Sequence, residues 1–230
     1  MMDVNFSYPS PNFNKRPQGT PIDMIVVHYT EIPLKAALAR LCSSQDKVSA
    51  HYVIGEDGTV FSLVPEEMRA WHAGASFWDG REGINDYSIG IELDNLGDRP
   101  FTNKQMEVLI ALCQELQGRY VIPNAYVVGH SDIAPDRKVD PGPFFDWKRF
   151  AAAGIGLWPA GASSSEEFTI HQVQQGLAQF GYKVSLTGRE DLQTDQVMKA
   201  FHSRFCPSQM SEAMNKETFG LLQALLKLKT

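Results

Sequence analysis

Apolar residues fall along this chain in short runs that read as buried strands, set between stretches with helical period. Residues 24–30 show almost no polar alternation, which implies a strand covered on both faces. Residues 34–41 are amphipathic behind Pro33, as in a helix that has proline at its entry. Residues 51–54 and 59–64 flank Gly55-Glu56-Asp57-Gly58, where glycine supplies the positive φ of a hairpin. Residues 88–94 form the next strand. Thr102 and Gln105 make a capping box. It opens a helix whose apolar positions Met106, Leu109, Ile110, Cys113 and Leu116 repeat at three and four residues. Residues 126–128 are a short buried strand and 147–153 a closing helix. Helices between strands predict the α/β class, a central mixed β-sheet flanked by helices.

Two segments stand apart from that pattern. Residues 1–23, rich in Pro, Asn and Ser, read as an extended N-terminal segment. Residues 158–165 are a small-residue linker. Beyond it come three helical patterns: 168–180, ended by Gly181 as a natural C′ glycine; 194–205, stopped by Pro207; and 218–228, with a Leu-rich face. The predicted organisation is a first domain over 1–157, the linker over 158–165, and a small all-α three-helix domain over 166–230.

The chemistry gathers at strand ends. His28 closes the first buried run, and His130 follows the run at 126–128 and opens a loop that reaches Asp140 and Gly142. Two histidines and one aspartate are the ligand types of a catalytic zinc site, which holds three protein groups and leaves a fourth position open. If they converge, the chain is a metal-dependent hydrolase. No HExxH helix is present, which removes the thermolysin-like class. Glu92 lies in a strand of alternating apolar residues, Ile89-Gly90-Ile91-Glu92-Leu93. An unpaired charge inside a core is costly, so a buried Glu92 calls for an ionic or proton-handling role.

Five segments carry a family resemblance: Val26-Val27-His28-Tyr29-Thr30, Val48-Ser49-Ala50-His51-Tyr52, Ala70-Trp71-His72-Ala73-Gly74, residues 85–93, and the loop from His130 to Gly142. In this order they resemble the zinc-dependent, type-2 N-acetylmuramoyl-L-alanine amidases, which are related to the peptidoglycan recognition proteins. The resemblance covers roughly the first two thirds of the chain. It implies one zinc ion per chain on His28, His130 and Asp140, with Glu92 as general base and Lys138 stabilising the oxyanion. The substrate it implies is peptidoglycan or a muropeptide, intact or 1,6-anhydro, cut between N-acetylmuramic acid and L-alanine.

Trp71 and His72 combine an aromatic face, a polar ring and backbone room, which suits a substrate cleft outside the metal shell. Tyr29, Arg81 and Asn85 are further candidate substrate contacts. His51 is expected to pack beside the site or fix the local fold, and His171 and His202 to lie on the surface of the tail helices. Within the tail, Gly181-Tyr182, Thr187-Gly188, Asp191 and Ala200-Phe201 resemble the common three-helix peptidoglycan-binding domain. The alternative is a helical cap packed on the first domain. The rival for the whole chain is a non-catalytic peptidoglycan-binding protein that keeps the cleft and lacks the metal.

Composition narrows partners and compartment. A net charge of -6 with no basic cluster excludes nucleic acid as the main partner. The three cysteines, Cys42, Cys113 and Cys206, are scattered, so no disulfide framework is expected and a reducing compartment is favoured. The first residues lack the apolar core of a secretory leader, and no run reaches the roughly 18 apolar residues that span a bilayer. The expected location is cytoplasmic, or the periplasm or cell envelope if an export signal has been removed. No obligate protein partner is implied.

Overall fold

A computed structural model describes residues 4–159, 161, 167–210 and 212–229. Most of the predicted linker, at 160 and 162–165, lies outside the described residues. In chain order, β1 (Val4–Asn5) and β2 (Phe13–Lys15) precede β3 (Met24–Tyr29) and α1 (Leu34–Leu41). The hairpin β4 (Tyr52–Ile54) and β5 (Val60–Ser62) follows, then the short strands β6 (Met68–Ala70), β7 (Phe77–Trp78) and β8 (Arg81–Glu82). β9 (Ser88–Leu93) leads to α2 (Asn103–Tyr120), β10 (Val127–Gly129), α3 (His130–Ile133) and α4 (Trp147–Ala152). The tail folds as α5 (Ile170–Phe180), α6 (Leu192–Phe205) and α7 (Lys216–Lys229).

Six strands form the central sheet in the order β1-β5-β4-β9-β3-β10. β4 and β5 pair antiparallel, while β4, β9, β3 and β10 run parallel to their neighbours. The sheet is therefore mixed, as predicted. Alternation along each strand sends successive side chains to opposite faces. Ile25, Val27, Ile89, Ile91 and Leu93 pack on Met106, Leu109, Leu112 and Leu116 of α2. Thr102 and Gln105 cap that helix reciprocally, each side chain bonding the other's backbone N–H at 3.1 Å. Leu112 takes the buried place predicted for Ile110, which is half-buried at the helix edge.

On the opposite face, Met24, Val26 and Val128 join a cluster with Leu177, Phe180, Phe201 and Leu222 of the tail. Trp78, fully buried, meets Phe180 and Tyr182 edge-on at centroid distances of 5.7 and 5.1 Å. The tail helices thus cover the second face of the sheet. This explains one correction: His202, expected on the surface, is fully buried. α6 packs between the first unit and the other tail helices, so polar residues of its last turn such as His202, Ser203 and Arg204 lose solvent, while Asp195 and Lys199 stay exposed. His171 is exposed, as expected.

Several elements have no signature in the sequence. β2 pairs antiparallel with β6, β1 pairs with β5, and β7 with β8. Strands of two or three residues are too short to display a period. His130–Ile133 forms one helical turn where only a loop was expected. All three cysteines are free, and no helix among the described residues is long and apolar enough to cross a membrane.

Candidate metal centre and cleft

Register places the site. His28 on β3 pairs with Glu92 on β9, and Val27 pairs with Gly129 on β10. His130 therefore follows one step beyond the last pair, beside His28. All three strands are parallel, so their carboxyl ends share one edge, where open α/β sheets bind ligands. Asp140 is returned to this edge by the loop, where its carbonyl accepts a 2.8 Å bond from the Ser131 N–H.

The three side chains meet closely. Asp140 Oδ2 lies 3.0 Å from Nδ1 of both His28 and His130, and those two nitrogens are 2.9 Å apart. All three residues are buried, and together they could hold a metal ion. Their hydrogen bonds determine which ring nitrogen carries the proton. His130 Nε2 faces the Ala73 carbonyl at 3.3 Å and must donate, leaving Nδ1 as a free lone pair. The Ser88 hydroxyl donates to the Ile84 carbonyl at 2.7 Å and accepts from His72 Nε2 at 3.1 Å. His72 Nδ1 is then an acceptor for His28 Nε2 at 3.0 Å, so His28 also turns a lone pair toward Asp140. A relay of fixed direction orients His28 from behind, an arrangement that metal-binding imidazoles also show.

Electrostatics agree with that donor set. Burial, reinforced by His130, pulls His28 down to about 4 despite its bond to Asp140, so the ring is neutral at pH 7. Burial pushes the Asp140 carboxyl up, but His130 and His28 outweigh it and hold it well below the usual carboxylate range. A neutral imidazole at His28 and an ionised carboxylate at Asp140 are protonation states that suit a metal ion. Glu92 differs. Burial, with Asp140 adding to it, holds its carboxyl well above the ordinary value, and its buried Oε2 has no hydrogen-bond partner among the described residues. An orphaned carboxylate oxygen beside three converging lone pairs fits a centre built for a cation and a polar reactant.

A cleft of about 240 Å³ opens over these groups, and Tyr29, Trp71, His72 and Lys138 line it. Trp71 is aimed by its indole N–H, which donates to Asn14 Oδ1 at 2.8 Å on β2. Two predicted contacts do not reach the cleft lining. Arg81 is engaged by Asp23 at 2.9 Å and lies over the Tyr87 and Tyr126 rings. Asn85 is buried behind the loop, where its Oδ1 accepts the His72 and Ala73 N–H groups at 3.0 and 2.8 Å. His51 locks strands together: its Nδ1 accepts from the Gly90 N–H at 3.0 Å, and its Nε2 donates to the Met68 carbonyl at 3.1 Å. Arg40 and Arg137 also line the cleft. Arg137 is adjacent to Lys138 in the same loop and was open to prediction there; Arg40 lies on α1 and carried no such signal.

Residues 18–143 match the sequence profile of the N-acetylmuramoyl-L-alanine amidases. The chain belongs to this amidase family. It is 36% identical over 233 residues to the N-acetylmuramoyl-L-alanine amidase AmiD of Escherichia coli, covering 90% of this chain and 83% of AmiD. It is 41% identical over 167 residues to the 1,6-anhydro-N-acetylmuramyl-L-alanine amidase AmpD of Enterobacter cloacae, covering 63% of this chain and 87% of AmpD. The solved structure of AmpDh3 from Pseudomonas aeruginosa in complex with anhydromuramic pentapeptide superposes with a TM-score of 0.85 at 31% identity. That likeness covers 100% of this chain and 99% of AmpDh3, so it includes the tail helices. An amidase needs an electrophile for the carbonyl, an acceptor for the water proton and a counter-charge for the developing oxyanion. A potential ligand cluster, a carboxylate and a lysine converge on this amidase's strand edge.

Proposed function

We propose that the protein hydrolyses the amide between the lactyl group of N-acetylmuramic acid and the L-alanine of the stem peptide. One zinc ion per chain is held by His28, His130 and Asp140. The observation that carries this reading is the cluster of three buried ligand atoms, all within 4.8 Å of one another, in a cleft shared with Glu92. Zinc bound there supplies Lewis-acid polarisation of the scissile carbonyl and of water.

The chain's own residues do the rest. Glu92, unpaired and facing the cleft, accepts a proton as water adds to the carbonyl carbon. The same carboxyl then delivers that proton to the departing alanine nitrogen. Lys138, in the loop just before Asp140, places a cation near the developing oxyanion. The C–N bond breaks to leave a muramic carboxylate and a free amine. Trp71, Tyr29 and His72 shape the cleft for sugar and peptide, while Asn85 and Arg81 act from behind it by holding backbone and strands.

In this reading residues 1–157 are the amidase domain, 158–165 the linker, and 166–230 a peptidoglycan-binding-like domain docked on the second sheet face. The substrates named for this chain's relative AmpD and for the AmpDh3 complex favour 1,6-anhydro-muropeptides. The test is digestion of intact sacculi beside a soluble anhydro-muropeptide, with products identified by mass and zinc measured on the same preparation. Release of free stem peptide with an L-alanine amino terminus is expected from zinc-loaded protein. Tight binding of the muropeptide with no bond cleaved would establish the non-catalytic rival instead.

A further inference from the structure

The tail touches the first unit at several places, and one of them brackets a proposed zinc ligand. Arg204 of α6 donates from Nη1 to Asp132 Oδ2 at 2.6 Å and from Nη2 to the Val127 carbonyl at 3.0 Å. Tyr182, just after α5, donates its hydroxyl to Asp132 Oδ1 at 2.6 Å. Asp132 Oδ2 also accepts the Gly129 N–H at 2.8 Å. The three side chains are almost wholly buried, and the Arg204 guanidinium lies 4.1 Å from the centre of the Trp147 ring.

These bonds grip residues 127, 129 and 132, on both sides of His130. The grip matters because α3 is a single turn of four residues. A lone turn fixes several dihedral angles for one or two hydrogen bonds and does not hold itself. Here it is held from outside, by a carboxylate that ties its end to its beginning and by two donors that hold the carboxylate. From the same turn, the Ser131 N–H fixes the Asp140 backbone. Two of the three groups on the candidate zinc site therefore hang on one buried cluster whose donors come from the tail.

We propose that Arg204 and Tyr182 are positioning residues for the metal centre, setting His130 and Asp140 through Asp132, so that the tail helices are part of the site. The inference rests on the zinc reading above. Two ion pairs between the tail and the first unit lack this property. Lys229 meets Asp79 at 2.8 Å and Lys183 meets Glu82 at 2.8 Å, both acceptors belonging to the segment that carries β7 and β8. They dock the tail without touching the turn, which makes them controls.

The experiment compares the full-length wild type with Tyr182→Phe, Arg204→Lys and Lys229→Met. Zinc affinity is measured by competition with a chelating indicator well below the melting temperature, and Tm is measured on the metal-free forms. Tyr182→Phe removes one donor and keeps the ring on Trp78. Arg204→Lys keeps the charge and gives up the second arm to Val127. Both are expected to raise the zinc dissociation constant by roughly 10–100-fold, the usual effect of removing outer partners of a metal site. Lys229→Met should lower Tm and leave zinc affinity unchanged. If the first two variants lower Tm as Lys229→Met does but bind zinc as tightly as wild type, the cluster only docks the tail and the proposal is overturned. A wild type that binds no zinc would overturn the metal reading itself, an outcome visible before any variant is compared.

Discussion

Gly90→Ala probes the relay behind His28 with a single methyl group. Gly90 has no positive φ, so alanine suits its backbone on β9. The obstacle is His72. A Cβ at position 90 would lie 2.6 Å from His72 Nδ1 and closer still to neighbouring ring carbons. Favourable heavy-atom contact begins near 3.5 Å, so the ring must retreat by about 1 Å. It has no slack, since Nδ1 accepts from His28 at 3.0 Å and Nε2 donates to Ser88 at 3.1 Å. A retreat of that size stretches the His28 bond to about 4 Å, which is no longer a hydrogen bond. Losing such an orienting partner typically lowers metal affinity by about 10–100-fold, equal to about 1.4–2.7 kcal/mol. The clash itself should lower stability by about 1–3 kcal/mol. Zinc titration against a competing chelator, with Tm of the metal-free protein, separates the two effects. In Gly90→Ala combined with His72→Ala the methyl has room again, so Tm should recover while zinc affinity stays low. Zinc binding by Gly90→Ala that equals wild type would refute the argument that His72 orients His28.

Three other perturbations test separate parts of the account. Glu92→Gln should keep its zinc and lose about 10²–10⁴-fold in turnover, the usual contribution of a general base, as read by kcat alongside metal content; loss of zinc with activity would make Glu92 a ligand or a structural group. Glu66 tests acid stability: burial raises its carboxyl, yet bonds from Tyr120, Tyr52 and Arg119 outweigh that and hold it below the ordinary value. Its contribution is complete above an unfolded value near ~4.3 and fades as pH falls through the depressed folded value. Glu66→Gln should thus be less stable than wild type at pH 7, with the gap in denaturation midpoints closing toward pH 3; a constant gap rules the linkage out. Finally, a chain ending near residue 164 exposes Trp78 and the face around Val26 and Val128, so Tm should drop and rates on soluble and polymeric substrate should fall together. A selective loss on sacculi with unchanged Tm would instead favour a loosely tethered binding module.

Periodicity made the larger elements legible, because a strand buried on both faces or a helix with one apolar stripe must repeat in sequence. The runs that became β3 and β9, the hairpin β4 and β5, and the capped helix α2 follow from that constraint. The candidate ligands His28, His130 and Asp140 stood out for a related reason, since few side chains offer lone pairs to a cation. Sequence could not supply what depends on contacts between distant segments. Register across β10, β3 and β9 put His130 and Glu92 on either side of His28, and a flanking-strand glycine made room for the ring of His72. His72 carries no mark of its relay, because its partners His28 and Ser88 are 44 and 16 residues away. His202 read as a surface residue of its helix until α6 was packed against the first unit, and nothing in the sequence marked Arg204 as buried. A buried charge is stable only beside its counter-charge, and Asp132 is 72 residues from Arg204 along the chain. Chemistry of single residues and repeats within ten or twenty of them is written locally; burial, register and the pairing of charges are properties of the folded whole.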